Sequence, residues 1–158
     1  MIIRLIHPAD RDEWLRMRMA LWPHHTPEEL VSEMGEILND MTKQPVFVAE
    51  RPGGGLCGFI EASIHVGSYG CETQLVGYIE GWYVDPDLRR EGIGSHLIHT
   101  VEQWSKEQGY LEIASDCKID NEMSWRAHLA LGFEETERLI HFRKCLNPLK
   151  KQSRESSQ

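Results

Sequence analysis

A single domain of mixed α/β architecture is predicted by three features of the sequence. Apolar residues alternate with period two in some segments and recur at helical spacing in others, and the two kinds of segment interleave along the chain. The 158 residues, 41% of them hydrophobic, suffice for one real core better than for two small ones. No internal repeat or compositional break marks a second unit. The expected order is β-α-α-β-β-β-α-β-α-β-β around a mixed sheet over residues 1–146, followed by a polar tail, 147–158, expected to be disordered.

Residues 2–6 alternate and read as a first strand. Asp10 reads as the N-cap of a helix running to Leu21, with Trp14, Leu15, Met17 or Arg18, and Leu21 near one face, and Trp22-Pro23 ends it. Thr26-Pro27-Glu28-Glu29 combines a capping hydroxyl, proline at the first helical position and a glutamate three residues after the cap. It starts a second helix to about Asn39, whose Leu30, Met34, Ile37 and Leu38 fall at helical spacing. Residues 45–50 and 56–66 read as antiparallel strands joined through Gly53-Gly54-Gly55. Residues 75–84 form another strand, stopped by Asp85-Pro86-Asp87. From Gly94 the period changes: Leu97, Ile98, Val101 and Trp104 line one face of a helix ending at Gly109. A strand over 110–115, a helix over 121–131 closed by Gly132, and a pair of short strands over 133–146 complete the order.

Composition narrows the function. A formal charge of −8 opposes binding to a phosphate backbone, where affinity rests on Lys and Arg, and suits a cationic substrate. Cys57, Cys71, Cys117 and Cys145 are widely spaced without metal-finger spacing, so reduced, mostly buried thiols are expected. The adjacent His24 and His25 read as a solvated loop pair, and no metal site is expected. The first apolar segment is too short for a signal peptide, and no apolar run approaches the roughly 20 residues of a membrane span. A cytoplasmic protein without a membrane partner is expected.

The chemistry concentrates in Tyr78-Ile-Glu-Gly-Trp-Tyr-Val-Asp-Pro-Asp-Leu-Arg-Arg-Glu-Gly-Ile-Gly94 and the helix that follows. A glycine-rich turn opening a helix is an anion site: free N–H groups point outward, the helix dipole favours negative charge, and glycine lets a phosphate approach. Arg89 and Arg90 add cationic partners. The spacing is Arg-x-x-Gly-x-Gly, which meets neither the P-loop nor the dinucleotide fingerprint.

Arg89, Gly92 and Gly94, placed between a strand and a helix, resemble the cofactor loop of the GNAT superfamily of acyltransferases, and the resemblance extends over residues 1–146. It implies a GNAT fold and acetyl-CoA as acetyl donor. The pyrophosphate is then expected on the N–H groups of Arg90, Glu91, Gly92, Ile93 and Gly94 beside Arg89, and the pantetheine arm along the backbone of Trp82, Tyr83 and Val84. Leu21-Trp22-Pro23, Glu80-Gly81, Ala114-Ser115-Asp116, Asn121 and Leu131-Gly-Phe-Glu-Glu-Thr-Glu-Arg138 further resemble the aminoglycoside 6'-N-acetyltransferases. That resemblance implies Trp22, Glu80, Asp116 and Glu137 as contacts for a cationic aminoglycoside, Asn121 as a further cofactor contact, and a homodimer.

An alkyl amine arrives protonated near neutral pH and attacks a thioester only after losing a proton, a task a carboxylate such as Glu80, with Asp116 on the neighbouring strand, suits. A backbone N–H near Tyr83 is the expected donor to the oxyanion. Where many relatives carry a tyrosine as general acid this chain has His128, either a proton donor or a packing residue, and Phe142 also replaces a tyrosine of some relatives. Two other functions remain open: a GNAT enzyme for a polyamine, peptide or metabolite amine, and a catalytically silent acyl-CoA-binding module.

Overall fold

Strands rich in β-branched and aromatic residues, each flanked by turn-forming residues, build the sheet in the computed structural model, which describes residues 1–147. β1 (Ile3–Leu5), β2 (Val46–Glu50), β3 (Leu56–Val66) and β4 (Leu75–Val84) pair antiparallel in chain order, and β5 (Ile113–Ser115) pairs parallel to β4. The described strands form one mixed sheet in the order β1-β2-β3-β4-β5. α1 (Arg11–Leu21) and α2 (Pro27–Leu38) cover one face, where Trp14, Met17 and Met34 pack on Val46, Val48, Phe59 and Tyr83. α3 (Ile93–Glu107) covers the other, setting Leu97, Ile98 and Val101 against Ile60, Ala62 and Ile79. α4 (Glu122–Ala130) follows β5.

The expected order therefore holds from β1 through α4, and the capping box of α2 forms as its residues dictate: Glu29 N donates to Thr26 Oγ1 at 3.2 Å and Thr26 N to Glu29 Oε2 at 3.0 Å. Asp10 holds the N-cap position of α1 as expected, but its side chain makes no capping bond to that helix. It closes a 3₁₀ turn over Pro8–Asp10, accepting from His7 N at 2.8 Å, and its carboxylate takes two bonds from Arg4 at 2.7 and 3.1 Å. A two-bond fork to a guanidinium outweighs a single bond to a backbone N–H. Arg4 also holds the Asp10 carboxyl below its usual range. β5 is shorter than the expected 110–115, because Tyr110 N is spent on Ser105 O at the end of α3, at 2.9 Å.

Among the described residues the final pair of strands does not form. Residues 133–146 run without regular structure, with Leu139, Ile140, Phe142 and Leu146 exposed. A strand needs a neighbouring backbone in register to accept and donate its hydrogen bonds; Phe133 N bonds His128 O at 3.1 Å and Thr136 Oγ1 bonds Tyr69 O at 3.4 Å, contacts that build no ladder. The thiols are less buried than expected: Cys57 is buried, Cys71 and Cys145 are half-buried and Cys117 is exposed. The expected disordered tail lies, apart from Asn147, outside the described residues. Among the described residues no helix is long and apolar enough to cross a membrane.

Candidate active site

The site is organised by one irregularity in the β3–β4 ladder. Glu61 pairs with Gly81 and Ala62 with Ile79, so Glu80 is an extra residue on β4. Such a bulge turns consecutive side chains toward one face and re-aims them. Ile79 and Trp82 belong to the core under α3, and Tyr83 to the core under α1 and α2. Between them, Glu80 and Gly81 both face the α1–α2 side: Glu80 lines a cavity there with Trp22, and a Cβ on Gly81 would fall 2.6 Å from the Trp22 ring. The missing side chain at Gly81 is what lets the indole lie beside Glu80.

Beyond the bulge β4 loses its partner on one side. The parallel pairing with β5 covers Gly77 to Ile79 and stops, while β3 continues alongside to Val84. Asp85 N donates to Cys57 O at 2.8 Å, which by strand alternation turns the Tyr83 amide toward β3 and leaves the Trp82 and Val84 amides on the open edge. Arg89 Nε donates to Val84 O at 2.9 Å and its guanidinium lies over the Tyr83 ring, fastening the loop to the strand end. Arg90 and Gly92 adopt left-handed conformations, with φ of 66° and 84°. These turn the chain into α3, whose N-terminus no side chain caps. The amides of the first helical turn thus face outward with the dipole behind them. Trp82 packs under Gly94, where a Cβ would meet its ring at 3.0 Å. An open strand edge leading to an uncapped helix start fits an extended pantetheine arm and a pyrophosphate.

On the other side of Glu80 lies a cavity of about 340 Å³. Glu33 and Glu36 of α2, Glu61 of β3 and Glu80 of β4 line it, together with Trp22, Arg18 and His25. Arg18 is the hub. It donates to Leu30 O at 3.1 Å and to Glu33 at 2.9 Å, and its guanidinium lies 4.8 Å from the Trp22 ring centroid. Its Nε stands 3.0 Å from Glu61 Oε1 but is not aligned to donate, so that contact is an ion pair rather than a hydrogen bond. Trp14 Nε1 donates to the same oxygen at 2.9 Å. Burial pushes the Glu61 carboxyl up to about 7 against the pull of Arg18. With four glutamates and one arginine in its wall, the cavity favours cations.

Glu80 Oε1 accepts from Ser63 Oγ at 2.5 Å and lies 2.6 Å from His65 Nε2, leaving Oε2 open. Asp116, at the end of β5, accepts from the Tyr78 hydroxyl. His128 is held on both nitrogens: Nδ1 lies 2.7 Å from Ser124 O and Nε2 lies 2.8 Å from Ser115 Oγ. A carbonyl only accepts, so Nδ1 carries the proton of the neutral ring and Nε2 receives the Ser115 hydroxyl. The ring packs edge-on against Trp82 and Phe133. Asn121 caps α4, its Oδ1 accepting from Ser124 N at 3.1 Å. Glu137 is exposed in the irregular segment and is not among the residues lining the cavity. His25 is not simply solvated, since it lines the cavity and lies 3.8 Å from Glu29. Among the described residues no group of three or more His, Cys, Asp or Glu is arranged to hold a metal ion.

The structure thus brings Trp22 and Glu80 into one cavity, while Asp116 does not line it and is bonded to Tyr78. Sequence reasoning missed Arg18, Glu33, Glu36, Glu61 and His65. One signal was present: Glu61 interrupts the apolar run of β3, and Arg18 falls on the apolar face of α1, two opposite charges at inward positions.

Comparison with known proteins follows the same lines. The acetyltransferase (GNAT) family model matches residues 11–133. An aminoglycoside N(6')-acetyltransferase type 1 of Klebsiella aerogenes is 40% identical over 147 residues, covering 92% of this chain and 97% of its own length. The apo crystal structure of the aminoglycoside 6'-N-acetyltransferase AAC(6')-IG from Acinetobacter haemolyticus superimposes with a TM-score of 0.86 at 34% identity, covering 93% of this chain and all of that one. A structure of AAC(6')-Iy with the bisubstrate analog CoA-S-monomethyl-acetylneamine gives a TM-score of 0.84 at 36% identity, covering 91% of this chain and 97% of that one.

Proposed function

Because the chain belongs to the GNAT acetyltransferase family, we propose that it transfers the acetyl group of acetyl-CoA to the 6'-amino group of aminoglycosides and so confers resistance. The observation that carries this reading is the position of Glu80, where an open strand edge on one side meets an acidic, tryptophan-bearing cavity on the other. The relatives named as aminoglycoside N(6')-acetyltransferases support it.

Acetyl-CoA supplies an activated carbonyl and a sulfur leaving group. The amides from Arg90 through Gly94 hold its pyrophosphate, with Arg89 fixing the loop and Asn121 fixing α4 beside it. The open edge at Trp82 and Val84 holds the pantetheine arm, and these amides, rather than that of Tyr83, are the donors aimed at charge developing on the carbonyl oxygen. Glu80 Oε2 receives the substrate ammonium and draws off its proton, because only the free amine is a nucleophile. Trp22 stacks beneath the drug's ring, while Asp116, and Glu137 once its segment is ordered, take further ammonium groups. His128 serves as proton donor to the departing sulfur only as imidazolium, and then through Ser115 Oγ; in its neutral form it orients Trp82.

The protein acts as a homodimer in this proposal. What supports it is residues 133–147, whose Ile140, Phe142 and Leu146 are 81%, 92% and 86% exposed and have no sheet to cover them.

Incubation with acetyl-CoA and kanamycin or tobramycin is expected to release free CoA thiol, with little release for drugs lacking a 6'-amino group. Glu80→Gln should lower turnover far more than acetyl-CoA binding. Absence of thiol release with every 6'-amino drug refutes the proposal.

A further inference from the structure

Glu80 stands on β4 and Asp116 just past the end of β5, yet one pair of rings joins them. His65 Nε2 lies 2.6 Å from Glu80 Oε1, and because an ionised carboxylate only accepts, Nε2 carries the proton and donates. The His65 ring stacks on Tyr78 with centroids 3.8 Å apart and an interplanar angle of 5°. The Tyr78 hydroxyl in turn donates to Asp116 Oδ2. Burial, then the bond to Asp116, pushes the Tyr78 phenol up, so it remains the donor. The chain Glu80, His65, Tyr78, Asp116 crosses β3, β4 and β5 at the level where the β4–β5 pairing ends. Each carboxylate has one oxygen bound within this chain and one open, Oε2 of Glu80 and Oδ1 of Asp116.

We propose that His65 is a positioning residue for the acetyl-transfer reaction: stacked on Tyr78, it fixes Glu80 and couples its orientation to that of Asp116, so that both open oxygens address ammonium groups of one substrate. The inference rests on the reading of Glu80 as the amine-binding carboxylate. Ser63 holds the same Oε1 from the side at 2.5 Å, but a hydroxyl that can rotate does not set the plane of a carboxylate. A ring pinned by stacking does, and carboxylate orientation decides how much of a bound amine sits in reacting geometry.

The test compares wild type with His65→Ala, His65→Gln, Tyr78→Phe and His65→Ala/Tyr78→Phe. The measurements are aminoglycoside binding by titration calorimetry, steady-state acetylation, and acetyl-CoA binding. His65→Ala is expected to raise the aminoglycoside KM by about tenfold with acetyl-CoA binding within about twofold of wild type. His65→Gln, whose amide can donate at the Nε2 position, should recover to within about threefold. The double variant should lose less than the product of the two single losses, since both act on one unit. An unchanged KM in His65→Ala overturns the proposal. So does a loss shared equally by drug and acetyl-CoA, accompanied by a lower Tm and not repaired by Gln, which marks a purely structural residue. Wild-type protein that binds no aminoglycoside refutes the amine-binding reading itself, and the positioning role falls with it; wild-type binding with an indifferent His65 refutes the positioning role alone.

Discussion

Replacing Glu61 by Gln tests the electrostatics of the cavity floor. The carboxylate is 4% exposed, and its burial raises it from an ordinary 4.5 to about 7, with Arg18 and Trp14 pulling the other way. At about 1.4 kcal/mol per pKa unit, that difference corresponds to about 3 kcal/mol. Below pH 4.5 both the folded and the unfolded chain carry the proton, and Glu61 costs nothing. Between there and about pH 7 the unfolded chain ionises first, so the unfolded state gains and stability falls as pH rises; above that window the full cost is present. Gln cannot ionise. The stability of Glu61→Gln minus that of wild type is therefore expected to climb by about 3 kcal/mol between pH 4.5 and 8, on top of a pH-independent offset from the altered contact with Arg18. Arg18 keeps Leu30 O and Glu33 as partners, so the variant should fold. The carboxylates held low by partners, such as Asp10 beside Arg4 and Glu135 beside Arg138, act in the opposite sense, but only as pH falls below the ordinary carboxylate range. Urea unfolding followed by circular dichroism at a series of pH values measures the difference. A difference that stays flat across the window would show that the attraction of Arg18 cancels the cost of burial.

Gly81→Ala places a methyl where the Trp22 ring lies 2.6 Å from it, so the indole must move. The aminoglycoside KM should rise by about tenfold while the acetyl-CoA KM stays within about twofold, read by steady-state kinetics with each substrate varied. Ile140→Asp together with Phe142→Asp puts charge on the exposed apolar segment. Wild type is expected to elute as a dimer in size-exclusion chromatography with light scattering and the double variant as a monomer; a wild-type monomer refutes the dimer.

The elements from β1 to α4 were legible because their signals are local. The α2 capping box needs only Thr26 and Glu29, and the α3 core face needs only the spacing of Leu97, Ile98 and Val101. The strand, loop and helix start from Trp82 to Gly94 were legible for the same reason, since they are contiguous in the chain. Asp10 was legible as the N-cap position of α1, but not the use of its carboxylate, because its partner Arg4 comes from β1 and a cap read from the helix alone does not see it. The segment 133–147 alternates like strands, but alternation records only which side chains prefer burial and says nothing about whether a neighbouring backbone is present. The cavity wall was the least legible part. Arg18, Glu33 and Glu61 sit on three elements that meet only after folding, and their charges signify a site only when seen to share one space.

The extra residue at Glu80 shifts the phase of β4, so that the half of the strand before it and the half after it present opposite parities to the sheet. Forcing the same residues into a regular ladder, with none of them deleted, would exchange the two faces of everything downstream: Tyr83 would turn toward α3, and Trp82 away from Gly94. Residues 81–84 are therefore not a portable cassette. Anyone transplanting this strand, or aligning it to a scaffold without the irregularity, must carry the count along with the residues, because the Glu80 carboxylate and the open edge of β4 are in register only when the strand is one residue too long.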